Sequence, residues 1–309
     1  MKAVTLNAYG GPDDLRYTEL PDPKVAPGEV LIRVRAAGVN PVDWKHAEGR
    51  LDPLMHTGFP LVPGWDVAGV VERVGFDVEE YAPGDEVFGY VRKDTVKHGA
   101  YAQLVSAHVR MLARKPAALG WEQAAAVPLA GLTAYQAIKR VGVRAGDTVL
   151  VHAAAGGVGS LGVQIARSLG ARVIGTASPR NHAFVRELGA EPVAYGPGLT
   201  DRVHRLAPEG VDAALDFAGG DAVDTSLRLL RRPERLASIV DSGAADKGGH
   251  YVWVRPDTAD LTALAELADR GGLAVHVERT FPLAEAAEAW RLNAAGHTRG
   301  KLVLTVDQD

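Results

Sequence analysis

The sequence predicts an α/β protein of two domains, a doubly wound parallel sheet joined to a smaller, mostly β domain. Three observations carry this. The 309 residues are enough for two cores at roughly 100 to 200 residues each. The first third of the chain alternates apolar and polar residues in short runs broken by Pro and Gly, the pattern of half-buried strands. Beyond about Pro116, apolar strands alternate with amphipathic helices, which demands parallel strands and crossover connections.

The elements follow in chain order. From Gly28, Val30, Ile32, Val34 and Ala36 alternate with Leu31, Arg33 and Arg35, which predicts a strand. Residues 66–74 and 86–91 predict two more, separated by the turn signals Pro63-Gly64 and Pro83-Gly84-Asp85. In the second part, residues 148–151 read as a fully buried strand. Leu161, Ile165 and Leu169 mark one helical face that stops at Gly170, and a strand over 172–176 follows. Further strands are expected at 192–195, 213–217, 236–240, 251–254 and 274–277. Residues 282–295 are Ala-rich and helical by propensity, and 301–306 form a strand expected to return to the first domain.

Composition removes several classes of function. A hydrophobic share of 47% with 23% charged residues is ordinary for a globular chain. A net charge of -4 without a Lys/Arg block gives no attraction for nucleic acid or anionic lipid. No signal-type run opens the chain and no stretch reaches the roughly 18 apolar residues of a membrane helix, so a cytoplasmic location is expected. The chain has no cysteine, which excludes disulfides, thiolate nucleophiles, iron-sulfur clusters and Cys-ligated zinc. Its ten histidines form no helical His-x-x-x-His pair, and no metal site is predicted. Redox chemistry here calls for a bound cofactor.

The sharpest motif is Ala154-Ala155-Gly156-Gly157-Val158-Gly159, a dinucleotide fingerprint with alanine in the first glycine slot, set between a strand and a helix. Gly156 lets backbone approach a pyrophosphate, Gly159 permits tight helix-to-strand packing, and the helix start favours an anion. About 20 residues on, NAD-specific folds place an acid against the ribose. This chain has Thr176-Ala177-Ser178-Pro179-Arg180-Asn181 instead. With no acid to repel a 2′-phosphate, and with Ser178 and Arg180 able to donate to it, NADPH is favoured over NADH. Ser178-Pro179 is also an ordinary N-cap and first-turn pair, and both roles can hold together.

Together these pieces resemble the medium-chain dehydrogenase/reductase superfamily, in particular its zinc-free quinone oxidoreductase branch. The likeness extends over nearly the whole chain. It is carried by Ala37-Gly38-Val39-Asn40-Pro41-Val42-Asp43, Pro63-Gly64-Trp65-Asp66-Val67-Ala68-Gly69, Gly84-Asp85, Gly99-Ala100-Tyr101-Ala102, the segment 125–133, the glycine loop and Gly300-Lys301-Leu302-Val303-Leu304. The resemblance implies a GroES-like catalytic domain over 1–117 and 280–309, a Rossmann domain over 118–279, and an active site in the cleft. Zinc-dependent relatives carry a cysteine where Asn40 stands and a His-Glu pair where Trp65-Asp66 stands.

By the same resemblance, Asn40 sits near the nicotinamide, Gly156, Gly157 and Val158 at the pyrophosphate, and Tyr195 beside the adenosine half, with Ala155 and Gly159 also in the cofactor-binding set. Thr133, Asn181, Phe217, Ser242 and Gly243 complete the nucleotide set. Many relatives have a phosphate-binding lysine at the position of Asn181; here Arg180 stands one place earlier. Lys45 replaces a tyrosine of several quinone reductases.

The chemistry expected is hydride transfer from NADPH to a small quinone or enone, with Asn40 orienting substrate or nicotinamide and Lys45 or water giving the proton. Asp43 and Asp66 read as structural carboxylates. Trp44, Trp65 and Phe59 are either an apolar wall for a flat substrate or simply core. A non-catalytic NADPH-binding protein and, less readily, a zinc alcohol dehydrogenase are the rival readings. Tyr251-Val252-Trp253-Val254 is apolar enough to be an edge strand, from which a homodimer is expected.

Overall fold

The structure, a computed structural model, describes residues 1–307. The chain divides into two compact units. The first comprises residues 1–129, 256–271 and the chain from Val275 onward; the second comprises Ala130–Arg255 and Gly272–Ala274.

The first unit opens with β1 (Lys2–Thr5), β2 (Arg16–Glu19), β3 (Glu29–Val39), α1 (Pro41–Ala47), β4 (His56–Val62) and β5 (Asp66–Val74). It continues with β6 (Glu86–Tyr90), β7 (Thr95–His98), β8 (Leu104–His108), β9 (Leu112–Arg114) and α2 (Trp121–Ala125). The helix α3 (Pro128–Val141) leads into the second unit. There the elements are β10 (Thr148–Val151), α4 (Gly157–Ser168), β11 (Arg172–Ala177), α5 (His182–Glu187), β12 (Glu191–Ala194) and α6 (Leu199–Leu206). β13 (Ala213–Asp216), α7 (Ala222–Leu229), β14 (Leu236–Ser238) and β15 (His250–Tyr251) complete it. The first unit then resumes with α8 (Thr258–Asp269), β16 (Val277–Pro282), α9 (Ala286–Ala294) and β17 (Lys301–Thr305).

A seven-stranded sheet of order β16-β17-β3-β5-β6-β9, with β8 also on β3, forms the first unit. The alternation seen in the sequence is the pleat of β3, whose Val30, Ile32 and Val34 are fully buried. As expected, the last strand returns here: β17 pairs antiparallel with β3, Leu302 opposite Val39 and Thr305 opposite Ala36. Trp290, Tyr101, Tyr90 and Phe88 are its largest fully buried side chains.

The second unit is a six-stranded parallel sheet of order β12-β11-β10-β13-β14-β15. The order reverses at β10, and ligands of doubly wound sheets bind at the carboxyl ends of the strands beside such a reversal. Leu150 and Ile174 pair across β10 and β11 and pack against Leu199, Val203, Val223 and Leu229 of α6 and α7. Each such fully buried aliphatic side chain contributes about 1.5–3 kcal/mol.

Three expectations need correction. The strand expected at 274–277 is absent from this sheet. Ala274 N donates to Gln164 Oε1 (2.7 Å) and its carbonyl accepts from Gln164 Nε2 (2.9 Å), so a side-chain amide of α4 takes the place of a strand neighbour. Only Val277 is a strand residue, and it belongs to β16. The edge strand expected at 251–254 shrinks to His250–Tyr251, because its neighbour β14 ends at Ser238 and offers only one further acceptor, to Val252 N. The unit boundaries also lie elsewhere than 117 and 280. The helix α8 joins the first unit through Thr258 Oγ1 to the Val109 carbonyl and Asp269 Oδ1 to the Ala118 amide.

Candidate nucleotide site and buried polar network

The fingerprint turn joins β10 to α4. Ala153 adopts the left-handed region (φ +54) that a non-glycine residue enters at a cost. It is held there by two bonds to Thr176 at the end of β11, from Ala153 N to Oγ1 (3.1 Å) and from Ala154 N to the carbonyl (2.9 Å). Gly156 is the N-cap and has no side chain to satisfy the first-turn amides of α4. Those of Gly157, Val158 and Gly159 are therefore presented to an anion.

The two outer glycines differ in what they serve. A Cβ on Gly159 would lie 2.1 Å from the Ala153 carbonyl oxygen, so the helix packs on the turn only without one. A Cβ on Gly156 would stand 3.3 Å from that oxygen and meet nothing else. The protein's own packing nearly accommodates a side chain at Gly156, so the bare backbone there serves whatever approaches from outside.

Ser178, Arg180, Asn181, Tyr195, Phe217, Ser242 and Gly243, also predicted for the nucleotide, lie just past the carboxyl ends of their strands. Ser178 stands at the N-cap position of a short turn, Pro179–Asn181, after β11, and its side chain makes no capping bond. Arg180 is exposed, and no acidic side chain occupies this segment. Tyr195 follows β12 and is 64% exposed. Phe217 follows β13, and its ring would lie 3.0 Å from a Cβ on Gly162 of α4. Ser242 and Gly243 follow β14 in a turn capped by Asp241, whose Oδ1 accepts from Gly243 N (2.8 Å). Thr133 is buried in α3. Asn40 and Lys45 belong to the first unit.

Asn40 caps α1 and enters a network that the sequence did not disclose. Lys301, 5% exposed on β17, donates to Asn40 Oδ1 (2.5 Å) and to the Val39 carbonyl (2.7 Å). Asn40 Nδ2 donates to Asp66 Oδ2 (2.8 Å), an oxygen 4.0 Å from the Lys301 ammonium. Asp66 Oδ1 accepts from Leu129 N (2.8 Å). Asp43 Oδ2 accepts from Asn40 N (2.8 Å) and from the Tyr101 hydroxyl (3.0 Å), which in turn accepts from Trp290 Nε1 (3.3 Å). Asp43 Oδ1 is buried without a partner.

Burial dominates the electrostatics of this network. It pushes the Asp43 carboxyl up to about 7 and Asp66 up to about 6, and it lowers Lys301 against the pull of both carboxylates. Asp43 and Asp66 are thus anchoring carboxylates, as their motifs suggested. Lys301, Tyr101 and Trp290 were missed as site residues. The only signal was a lysine in an otherwise apolar strand, Lys301-Leu302-Val303-Leu304.

Lys45 lies on α1 with its ammonium 5.4 Å from the centroid of the Trp44 ring. Trp44 Nε1 donates to Asn293 Oδ1 (3.0 Å). Trp65 is 2% exposed and packs on His46 and Tyr90, so it is core. Phe59 meets Tyr9 edge to face.

Comparison with known proteins agrees with this architecture. Residues 26–117 match the alcohol dehydrogenase GroES-like domain family, and residues 188–304 match the zinc-binding dehydrogenase family. The chain is 38% identical to the spectinabilin polyketide synthase system protein NorB of Streptomyces orinoci over 96% of its length, while spanning only 14% of that protein. It is 32% identical to an NADPH-dependent alkenal/one oxidoreductase, chloroplastic, of Arabidopsis thaliana, covering 98% of this chain and 79% of the relative. The solved quinone oxidoreductase from Coxiella burnetii superposes with a TM-score of 0.86 at 33% identity, over 99% of both chains. The chain belongs to the medium-chain dehydrogenase/reductase superfamily and is an oxidoreductase of that superfamily, with a GroES-like and a Rossmann unit.

The zinc in one family description does not fit this donor set. Asn40 and Asp66 are committed to an ammonium already in place, and no group of three or more His, Asp or Glu among the described residues is arranged to hold a metal ion. A dinucleotide does fit, because the first turn of α4 has amides that no side chain of its N-cap, Gly156, accepts from.

Proposed function

We propose that the chain is an NADPH-dependent oxidoreductase that reduces a quinone or an α,β-unsaturated carbonyl without zinc. The observation that carries this reading is the uncapped first turn of α4 beside a β11 end that bears Ser178 and Arg180 and no acid. The relative named as an NADPH-dependent alkenal/one oxidoreductase supports it.

When bound, reduced nicotinamide supplies a hydride. The chain's own residues do the rest. The amides of Gly157 and Val158 hold the pyrophosphate, and Ser178 and Arg180 donate to the 2′-phosphate, the guanidinium by a charge-assisted bond. Tyr195 offers a ring face to the adenosine. Asn40, fixed by Lys301 and Asp66, retains one amide proton and one carbonyl lone pair with which to orient substrate or nicotinamide. Reduction of a conjugated carbonyl leaves an enolate whose charge is spread, so one positioned proton suffices. Lys45 Nζ, which has no ion pair among the described residues, or water supplies it.

A panel of quinones, enones and alkenals, assayed with NADPH and with NADH before and after chelation, tests this. The expected outcome is faster oxidation of NADPH, unchanged by chelator. Stoichiometric zinc in the active protein, or turnover of simple alcohols alone, would contradict it. The edge strand β15, with Tyr251, Trp253 and Val240 exposed nearby, is proposed as the seam of a homodimer. Light scattering at micromolar concentration would show a monomer if that is wrong.

A further inference from the structure

Tyr195 is followed by Gly196-Pro197-Gly198, and both glycines sit in the left-handed region, at φ +90 and +77. Glycine in such a loop is free to leave that conformation, so the tyrosine beside it has no fixed place unless something outside the loop holds it. Arg202, in the first turns of α6, does so. Its Nε donates to the Ala194 carbonyl (3.0 Å) and one terminal nitrogen to that of Pro197 (2.9 Å). The other terminal nitrogen donates to the carbonyls of Tyr195 (3.4 Å) and Gly196 (3.1 Å). One guanidinium thus gathers four consecutive carbonyls.

A guanidinium has five N–H donors, and here four bonds already run into backbone. Little is left over for a ligand phosphate, so a direct contact is the poorer use of this side chain. Its chemistry suits backbone: a rigid planar fork reaches several acceptors in an arc, which a lysine's single nitrogen cannot do. The carbonyls it binds belong to Tyr195 and its immediate neighbours, at the carboxyl end of β12. Tyr195 itself keeps an exposed ring.

We propose that Arg202 is a positioning residue that presets the Tyr195 loop for the adenosine end of the nucleotide. The proposal rests on the nucleotide reading given above. Ordering this loop in advance removes part of the entropy that binding would otherwise have to supply. The side chain acts on nucleotide affinity and on no step of the reduction.

Equilibrium titration with NADPH, read by cofactor fluorescence, tests it in wild type, Arg202→Ala, Arg202→Gln, Arg202→Lys, Tyr195→Ala and the Tyr195→Ala/Arg202→Ala double variant. Thermal melting selects the variants that fold. Arg202→Ala, or Arg202→Gln if the alanine variant does not fold, weakens NADPH binding about three- to tenfold, the equivalent of one ordered segment. Arg202→Lys recovers part of this, and the loss falls on KM for NADPH and not on kcat. The double variant binds no more weakly than Tyr195→Ala alone. Wild-type affinity in the Arg202 variants, or a loss that adds fully to that of Tyr195→Ala, overturns the proposal while leaving the nucleotide reading intact. Wild-type affinity in Tyr195→Ala removes the nucleotide from this loop and takes the proposal with it.

Discussion

At the carboxyl ends of β10 and β11 the first-turn amides of α4, Ser178 and Arg180 face outward, whereas around Lys301 the polar groups are buried and almost all satisfied. The first arrangement leaves amides, hydroxyls and a guanidinium for an outside partner. The second spends an ammonium, two carboxylates, an amide and a phenol on one another, and through them fixes Asn40. The difference teaches where each kind of residue acts. Change at the strand ends should be read in affinity, and change in the network should be read in stability first.

The sharpest way to break that division is Lys301→Met. Removing one partner of a buried ionic group costs about 3–5 kcal/mol, because Asp66 then loses its buried counter-charge and Asn40 Oδ1 loses its donor. Chemical denaturation should show the loss; an unchanged midpoint would mean the ammonium balances nothing. Next is Gly159→Ala, whose Cβ must displace the Ala153 carbonyl. A cost of roughly 1–3 kcal/mol is expected, together with weakened nucleotide binding, since the shifted turn carries the amides. Gly156→Ala should spare stability and weaken binding alone, and equal melting losses in the two variants would erase the distinction drawn between them.

How much of this was legible follows from the kind of signal each region emits. Glycines spaced between a strand and a helix are a local pattern, and so is the missing acid after β11. Both could be read from consecutive residues. The network joins Asn40, Asp43, Asp66, Tyr101, Trp290 and Lys301, residues distant in sequence that meet only once β3 has paired with both β5 and β17. No local pattern announces that. The 274–277 segment failed for the same reason: a glutamine on α4, 110 positions away, bonds both backbone groups of Ala274. Apolar run length alone cannot distinguish that from a strand.

A smaller effect sharpens the electrostatic side. Asp43 has a folded-state pKa raised to about 7 by burial, above its ordinary value of 3.8. A raised carboxyl favours the folded state while protonated, so its contribution is full below about 4 and is lost as pH rises toward about 7. Asp43→Asn, which keeps an acceptor for Asn40 N and Tyr101, should flatten the dependence of melting temperature on pH across that window. A slope equal to wild type would assign it to other groups. The smallest change expected is Arg180→Ala, which should weaken NADPH by roughly tenfold and leave NADH untouched, the worth of one charge-assisted bond at an exposed site.

The most direct measurement is a titration of the purified protein with NADPH and with NADH under identical salt. Saturable binding of both, tighter for the nucleotide that carries the extra phosphate, is what the amide-bearing turn of α4 and the acid-free end of β11 require. No saturable uptake of either, or tighter binding of NADH, would contradict the account at its base.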